Sequence, residues 1–535
     1  MAKRKNGAYP LYDRMPPVSS ISHMLELKAS DIPDKVAFRY RKGRDQTESK
    51  TYADVYREVR KAAAWIEHNI GTKQHIAVIG ENSYELLIAF FAILASGNVA
   101  AAIDKELPAN EVAWMIGKAD VTAAFVSKTY SDLVEGIDGL KVTTLKGLQT
   151  AAEAESEEYT LYKPERDEPA SIFFTSGTSG RSKAVMLSHG NLASEITDVS
   201  KLFDPEDAES VLAVLPFHHT FGLNVAILMA YYYGVTIFLN KSLKNVQDDL
   251  KLAKPDVIML VPMFIEVLYK KIQDGIKKSG KEKKVEKGIK FSNFLLKLGI
   301  DKRRKLFKDI LDVFGGNLKY IISGGAFLDQ SYIKTYHDFG IEILNGYGTT
   351  ECSPCVAVNR NYHQKAGSVG MKVPGTEFRI SADGEVQVKG PVTMLGYYNE
   401  PEATAEVLQD GWYSTGDLGR VDDEGFVFLT GRKKNLIILS NGENISPEEL
   451  EQDFRLDPGV NEVLVYDRKN MIIAEIFPEE EFMGNTEYFN ALMAKVNTGR
   501  PAYKQVAKVV LRTEDFIRNT SKKVVRYKNI PKEEE

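Results

Sequence analysis

Cysteine is scarce in this sequence, since 535 residues include only two, Cys352 and Cys355. A disulfide framework is therefore excluded, and a reducing compartment fits this usage. Met1 is followed by Ala-Lys-Arg-Lys and not by an apolar run, so we expect no secretory signal and a cytoplasmic location. Net charge is also small, because 74 acidic residues nearly balance 69 basic ones. This balance predicts no general affinity for nucleic acid.

The sequence also lacks an uninterrupted apolar segment long enough to span a membrane. Residues 86–103 carry no charge, but a Ser-Gly-Asn sequence at 96–98 interrupts them and predicts a helix end followed by a strand. Residues 211–239 contain Pro216 and His218, which are unfavourable groups in lipid. Neither segment is predicted to cross a membrane.

Apolar material is plentiful, at 43% of residues, and the length exceeds what one hydrophobic core accommodates. Short apolar runs recur with spacers of helical length between them. This pattern is typical of parallel strands buried on both faces, so the predicted fold class is α/β, with layered βαβ sheets. The runs cover residues 75–79, 122–126, 171–174, 211–215, 235–239, 256–261, 318–322 and 341–344.

The pattern changes in the last third of the chain. From residue 367 to about 430, short strands separated by turn glycines predict a small β-barrel-like subdomain. Beyond it, Ser446-Pro447 predicts a helix start, since serine caps helices and proline suits their first position. We therefore predict an N-terminal domain over residues 1–433 and a small, mobile α+β domain over residues 434–535.

A loop of glycine and hydroxyl residues follows the predicted strand at 171–174 and ends at Lys183. Its backbone N–H groups and hydroxyls can surround a polyphosphate, to which the lysine adds positive charge. The glycine spacing does not match a Walker A motif, and an ordinary polar surface loop is the alternative. The candidate phosphate-binding residues are Thr175, Ser176, Gly177, Thr178, Ser179, Gly180 and Lys183.

This loop and the segment after it, residues 175–191, closely resemble the nucleotide signature of the adenylate-forming superfamily. That superfamily comprises acyl-CoA synthetases, peptide-synthetase adenylation domains and luciferases. Further motifs match in the same order, and the resemblance spans roughly residues 20–527, being strongest to long-chain fatty acid–CoA ligases. The motifs are Leu215-Pro-Phe-His-His-Thr-Phe-Gly222, Asn345-Gly-Tyr-Gly-Thr-Thr-Glu351, Tyr413-Ser-Thr-Gly-Asp-Leu418, Gly431-Arg-Lys-Lys-Asn-Leu-Ile-Ile-Leu-Ser-Asn-Gly442 and Arg518-Asn-Thr-Ser-Lys-Lys523-Val-Val-Arg526.

The sequence departs from the pattern of this family at three positions. Ser182 replaces a usual proline and Ala184 a usual glycine, which changes the stiffness of the loop. Lys522 replaces the glycine before the terminal catalytic lysine, so the motif offers a choice between Lys522 and Lys523. Aligning Arg526 with the last arginine of the motif favours Lys523.

The resemblance implies that ATP and Mg²⁺ activate a carboxylic acid as an acyl-adenylate, and that coenzyme A then receives the acyl group. The first step joins two anions, so the site must supply positive charge. The resemblance assigns catalytic roles to Lys183, Lys523, Glu351 and His219, the last of which orients the acyl carboxylate. It also makes Glu351 and the Thr175 hydroxyl the Mg²⁺ ligands, with a solvated surface glutamate as the alternative.

A nucleotide site is implied in the same way. Asp417 and Arg432 suit ribose hydroxyls and phosphate, and Tyr347 can stack on adenine. A Gly-Gly-Ala sequence at 324–326 allows a ligand to approach the backbone closely, although a core tyrosine and a tight turn remain the alternative. The other cofactor-binding candidates in these motifs are Gly325, Ala326, Gly348, Thr349, Thr350, Lys434 and Gly442.

The two cysteines form a C-x-x-C sequence that in other contexts binds zinc or undergoes redox exchange. No further cysteine exists to complete a four-thiolate site, and the pair directly follows Glu351. Neither role is predicted here.

Residues 270–308 form a strongly basic segment. Fifteen Lys or Arg and four Asp or Glu give it a charge of 15 − 4 = +11, with Phe291 and Phe294 among its apolar residues. A solvated helical surface is one interpretation, and peripheral contact with an anionic membrane is the other. Long-chain acyl-CoA synthetases resemble this chain in carrying an insertion here, which favours a fatty acid substrate.

The sequence thus predicts an AMP-forming acid–thiol ligase acting on a medium- or long-chain fatty acid and coenzyme A. Transfer to the phosphopantetheine of an acyl carrier protein is one alternative, and a catalytically silent nucleotide sensor is another. The presence of Glu351, Lys183 and Lys523 together argues against the sensor. Expected partners are the acid and coenzyme A or a carrier protein, but no nucleic acid. Contact with a membrane surface stays the alternative to a solvated surface for the basic segment.

Overall fold

The computed structural model describes residues 11–43, 46–175, 182–204, 207–439, 443–518 and 523–531. The chain divides into two compact units, the first comprising residues 1–378 and 388–413 and the second residues 379–387 and 414–535. The second unit thus begins before Lys434 in sequence, and the domain boundary predicted at that residue stays a prediction.

Strands and helices alternate through most of the chain, which confirms the predicted α/β class. The strands are β1 (Val36–Arg41), β2 (Thr47–Thr51), β3 (His75–Ile79), β4 (Val99–Ile103), β5 (Val121–Val126), β6 (Lys141–Thr144), β7 (Pro169–Thr175), β8 (Lys183–Ser188), β9 (Ser210–Ala213), β10 (Thr236–Leu239), β11 (Val257–Leu260), β12 (Tyr320–Ser323), β13 (Glu342–Gly348), β14 (Cys355–Val358), β15 (Met371–Lys372), β16 (Glu377–Ile380), β17 (Glu385–Lys389), β18 (Gly396–Tyr397), β19 (Leu408–Gln409), β20 (Trp412–Val421), β21 (Val427–Arg432), β22 (Ile437–Ile438), β23 (Asn444–Ile445), β24 (Val460–Arg468), β25 (Met471–Pro478) and β26 (Val506–Leu511). The α-helices are α1 (Ile21–Asp31), α2 (Tyr52–Asn69), α3 (Tyr84–Ala95), α4 (Ala109–Lys118), α5 (Leu145–Ala152), α6 (His189–Ser200), α7 (Ala230–Tyr233), α8 (Val246–Ala253), α9 (Pro262–Lys278), α10 (Glu282–Lys297), α11 (Arg303–Leu306), α12 (Lys308–Leu311), α13 (Gln330–Phe339), α14 (Pro401–Val407), α15 (Pro447–Arg455), α16 (Thr486–Asn497) and α17 (Arg526–Asn529).

The first unit contains two large mixed sheets. Among the described residues, one sheet has nine strands in the order β15-β14-β13-β12-β11-β9-β10-β1-β2. Its central strands, from β13 to β1, are parallel, and the outer pairs are antiparallel. The other sheet, counted over the same residues, has seven strands in the order β18-β8-β7-β4-β3-β5-β6. Strands β7 to β6 are parallel, whereas β8 and β18 run antiparallel to their neighbours.

The uncharged segment 86–103 is a buried helix followed by a buried strand, as the sequence predicts. The side chain of Ser83 caps α3 by accepting a hydrogen bond from the Leu86 N–H. Gly97 then takes a positive φ of 73°, a turn conformation that glycine adopts without strain, and leads into β4. Within the described ranges, no helix is both long enough and apolar enough to cross a bilayer.

The second unit has its own core, in which α15 and α16 pack on the sheet β24-β25-β26. The helix predicted at Ser446-Pro447 is confirmed, because α15 begins with proline at its first position. Residues 379–387 belong to this unit through Glu385. Its Oε1 accepts a hydrogen bond from the Gly416 N–H at 2.8 Å, and its Oε2 lies 3.0 Å from Lys433 Nζ.

Candidate functional site

The predicted phosphate loop connects two antiparallel strands of the seven-stranded sheet in the described chain. The last pair of β7 and β8 is Thr175 opposite Lys183, so both residues lie at the same end of this ladder. Ser176, Gly177, Thr178, Ser179 and Gly180, named above as phosphate-binding candidates, lie outside the described residues.

Lys183 and Glu351, which come from different motifs, meet at one tyrosine. The Tyr397 hydroxyl donates a hydrogen bond of 2.9 Å to Glu351 Oε1. Lys183 Nζ lies 4.4 Å from the centre of the same ring, in cation–π range. Burial, followed by the negative charge of Glu351, raises the pKa of Tyr397, so its hydroxyl stays a proton donor. Tyr397 thereby joins the lysine and the glutamate in one site.

The turn that carries Glu351 is held by buried side chains of the first unit. Asn224 Nδ2 donates to the carbonyl oxygen of Ser353 at 2.7 Å. Glu195 Oε1, on α6, accepts from the Cys355 N–H at 3.1 Å, and burial raises the pKa of this carboxyl well above its usual range. These contacts fix the backbone on the C-terminal side of Glu351.

Several predicted motifs lie at the carboxyl ends of parallel strands in the nine-stranded sheet of the described chain. Residues 324–326, including Gly325 and Ala326, follow β12, and Tyr347 and Gly348 end β13. Ligands of open α/β sheets usually bind at this edge. A Cβ placed at Gly348 would lie 1.8 Å from a backbone carbonyl oxygen, so a residue without a side chain is needed there. Thr349 and Thr350 continue from this strand toward Glu351.

The histidine motif follows β9 at the same sheet edge. The Phe221 ring lies 3.3 Å from the position that a Cβ on Gly324 would occupy, so the motif contacts residues 324–326. The rings of His218 and His219 are 4.3 Å apart, and His218 Nε2 is 3.5 Å from Asp104 Oδ1. Burial and the neighbouring His219 lower the pKa of His218, which favours the neutral imidazole.

A π-helix, Phe221–Met229, follows these histidines. Such helices are rare and occur frequently at functional sites. This element is not predictable from the sequence, because its apolar run shows no period that distinguishes a π-helix from an α-helix.

In the second unit, four predicted residues from three motifs lie together. Asp417 and Arg432 pair across β20 and β21, and Arg432 Nε is 2.7 Å from Asp417 Oδ1. Burial of its ammonium group, followed by repulsion from Arg432, lowers the pKa of Lys434 to about 8. Burial and then Arg432 also lower the pKa of Lys523, whereas Asp417 raises it. Gly442, from the same motif as Arg432, lies outside the described residues.

Cys352 and Cys355 are not joined by a disulfide. Burial raises the pKa of both thiols, so the reactive thiolate form is disfavoured. Within the described residues, no group of three or more His, Cys, Asp or Glu side chains is arranged to hold a metal ion.

Tyr397 is the site residue that the sequence analysis missed. It belongs to β18, which pairs with β8 through Tyr397 opposite Val185. This pairing brings the tyrosine beside Lys183, although more than two hundred residues separate them in sequence. No local pattern around Gly396 predicts such a contact.

Known proteins match this chain in both sequence and fold. The sequence pattern of the family described as "AMP-binding enzyme" matches residues 25–398. Long-chain-fatty-acid–CoA ligase FadD15 of Mycobacterium bovis is 30% identical over 484 residues, which cover 84% of this chain and 80% of the relative. The 2-succinylbenzoate–CoA ligase of Bacillus mycoides is 25% identical over 526 residues, covering 95% of this chain and 98% of the relative.

Among solved structures, the ATP-bound RpMatB–BxBclM chimera B1 superposes with a TM-score of 0.78 at 26% identity. The match covers 95% of this chain and 97% of the chimera. The family pattern covers more than half of the chain, and both the sequence and the fold of relatives match along most of its length. The chain therefore belongs to the AMP-binding enzyme family.

Proposed function

We propose that this protein is an AMP-forming acid–CoA ligase whose physiological acid is a long-chain fatty acid. The observation that carries the proposal is the contact of Tyr397 with both Lys183 and Glu351. A cation at the end of the phosphate loop and a carboxylate held beside it are the groups that an ATP-dependent activation needs.

Lys183 supplies positive charge to the phosphates, and Glu351 with the Thr175 hydroxyl provides oxygen ligands for Mg²⁺. The donor set fits this metal, since Mg²⁺ usually takes one or two protein carboxylates and fills its other positions with substrate phosphates and water. The bound metal neutralises charge on the phosphates. The hydrogen bond from Tyr397 to Oε1 holds the carboxylate of Glu351 in place.

Residues of several motifs bind the nucleotide. Tyr347 stacks on adenine, the backbone at Gly325 and Ala326 lies against the base, and Asp417 accepts from the ribose hydroxyls. Arg432, whose Nε lies 2.7 Å from Asp417 Oδ1, adds positive charge beside the sugar or a phosphate. Further contacts are proposed for Gly348, Thr349, Thr350, Lys434 and Gly442.

His219 orients the acyl carboxylate. It lies beside His218, with the two ring centres 4.3 Å apart. The lowered pKa of His218 keeps the His218 imidazole neutral, which limits charge repulsion between the two rings. A histidine with this role lowers the KM for the acid more than it raises kcat.

Sequence identity favours a fatty acid over an aromatic acid as the substrate. The relative named as a long-chain-fatty-acid–CoA ligase is 30% identical, whereas the one named as a 2-succinylbenzoate–CoA ligase is 25% identical. The test is mass spectrometry of products formed from ATP, Mg²⁺, coenzyme A and a panel of acids from acetate to oleate, with 2-succinylbenzoate included.

Oleoyl-CoA or palmitoyl-CoA as the main product, with AMP released, supports the proposal. A preference for 2-succinylbenzoate would refute the fatty acid assignment but leave the ligase assignment intact. Thioester formed only on an added holo-acyl carrier protein would replace coenzyme A as acceptor. Glu351→Gln, whose activity is expected to fall by orders of magnitude, serves as the low-activity control in every arm.

Lys523 acts in adenylation and not in thioester formation. The first step needs a cation at the carboxylate and the α-phosphate, whereas the thiol must later enter the same space, so movement of the C-terminal domain about Lys434 separates the two steps. Lys523→Ala is expected to abolish pyrophosphate exchange while thioester formation from supplied acyl-AMP is largely retained. Lys528→Ala, an exposed lysine of α17, is the matched control. Equal loss of both half-reactions in a folded Lys523→Ala protein contradicts this role.

A further inference from the structure

The basic segment 270–308 is divided by the structure into a buried part and an exposed part. Arg303 is buried and lies 2.8 Å from Asp301 Oδ2. Arg304 donates to backbone carbonyl oxygens, with its Nη1 2.7 Å from the oxygen of Leu318. These two arginines stabilise the fold. The thirteen lysines of the segment are exposed, and five of them lie on α10: Lys283, Lys284, Lys287, Lys290 and Lys297.

One side of α10 packs on the core beneath it. Val285 and Ile289 contact the apolar cluster around the nine-stranded sheet of the described chain, and Ser292 is fully buried. These positions follow the i, i+4, i+7 spacing of one helix face. The opposite side of the helix must then point to solvent.

The outward side combines lysines with large apolar residues. The exposed fractions are 54% for Phe291, 58% for Phe294 and 60% for Leu298, which is high for aromatic and aliphatic side chains. Positions 283, 287, 290 and 294 recur at helical spacing, so the apolar residues and the lysines share one face. We call this surface the lysine–phenylalanine face. It consists of Lys283, Lys287, Lys290, Phe291, Phe294 and Leu298.

The charge on this face is largely uncompensated. Lys283 and Lys287 are exposed and, within the described part of the chain, form no ion pair. Lys290 pairs with Glu286 at 2.6 Å, but both side chains are mostly exposed, so the pair contributes little to stability. Positive potential therefore surrounds the exposed phenylalanines.

We infer that the lysine–phenylalanine face docks on an anionic lipid bilayer. Phenylalanine and leucine side chains insert among the acyl chains at the interface, while the flanking lysines pair with lipid phosphates. A polynucleotide would satisfy the lysines but would leave adjacent apolar side chains without a partner. This surface goes beyond the proposed function, because docking requires neither ATP nor a carboxylic acid.

The test is flotation of the full chain with vesicles, without nucleotide. Vesicles made of equal parts phosphatidylglycerol and phosphatidylcholine are expected to carry the protein to the top of the gradient, and pure phosphatidylcholine vesicles are not. Binding should weaken as salt rises, because surface charges are screened within about 10 Å at 0.1 M salt.

Two variants separate charge from insertion. Replacing Lys283, Lys287 and Lys290 together by glutamine should weaken binding by about five-fold per lysine, which corresponds to about 1 kcal/mol for each charge near the surface. Phe291→Ser with Phe294→Ser should weaken it by at least about ten-fold while salt dependence is retained. The matched control replaces three exposed lysines elsewhere in the first unit, Lys128, Lys146 and Lys372, by glutamine.

Each outcome decides the inference. Loss of binding in both face variants, with the control unchanged and all melting temperatures preserved, supports it. Absence of binding by the unmodified protein overturns it, and so does equal loss in the control. If duplex DNA or RNA displaces the protein from vesicles and binds it equally well after Phe291→Ser and Phe294→Ser, the face is a polyanion site and the inference is wrong.

Discussion

Tyr397→Phe is the sharpest test of the site, because it removes one oxygen atom and keeps the ring. The lost hydroxyl donates to Glu351 Oε1 at 2.9 Å, and hydrogen bonds to charged groups contribute about 1.5–3 kcal/mol. If this bond orients Glu351 for Mg²⁺ in the transition state, kcat/KM for MgATP should fall by about ten- to 150-fold. The stability of the fold should change much less.

Tyr397→Leu also removes the ring whose centre is 4.4 Å from Lys183 Nζ. A cation–π contact contributes about 0.5–2 kcal/mol. The leucine variant should therefore lose a further factor of about two to thirty in kcat/KM for MgATP. The difference between the two variants thus isolates the contact with the lysine.

The assay is ATP–pyrophosphate exchange over a range of Mg²⁺ concentrations, with melting temperatures measured in parallel. A double-mutant cycle with Glu351→Gln should show that the two effects are not additive, because both act on one contact. If Tyr397→Phe exchanges at the unmodified rate at every Mg²⁺ concentration, the hydrogen bond has no part in activation. Additive losses in the cycle would likewise refute the orientation argument.

Charge changes around Lys523 should shift the basic limb of the adenylation pH profile in opposite directions. Asp417→Asn removes a negative charge that raises the pKa of Lys523, so the basic limb should move to lower pH. Arg432→Gln removes a positive charge that lowers this pKa, so the basic limb should move to higher pH. A shift in the same direction for both would contradict a charged Lys523. Separately, Gly348→Ala should lower the melting temperature far more than Gly346→Ala, since the added Cβ atoms would meet neighbours at 1.8 Å and 3.4 Å respectively. Comparable melting temperatures would show that the backbone at Gly348 can move.

Local sequence patterns predicted much of the fold. The run at 75–79 coincides with β3, and the run at 341–344 overlaps the start of β13, which extends from Glu342 to Gly348. Continuous apolar runs predict buried parallel strands well, because both faces of such strands require apolar residues. The order of strands in each sheet was not predictable, since it depends on packing between elements distant in sequence.

The candidate site was predictable only in part, for the same reason. The motifs place Lys183 and Glu351 at the ends of strands, and the structure brings them to one ring. The ring belongs to Tyr397, which no motif includes and which reaches the site through the pairing of β18 with β8. Likewise, Arg303 and Arg304 carry the same charge as the lysines of α10, so the sequence does not distinguish them. Only the folded chain shows that Arg303 pairs with Asp301 and that Arg304 donates to the Leu318 carbonyl oxygen.

The second unit is discontinuous in sequence, and this limits how it can be moved between proteins. Residues 379–387 are translated before residues 388–413, which belong to the first unit, and Glu385 must wait for Gly416 and Lys433 to emerge from the ribosome. A fragment that begins at residue 414 would lack Glu385, whose carboxylate contacts both Gly416 and Lys433. A cut placed at Lys434 would separate residues 434–535 from the other two segments of the same unit. A junction before residue 379 would keep that unit whole but would also take residues 388–413, with Tyr397, from the first unit.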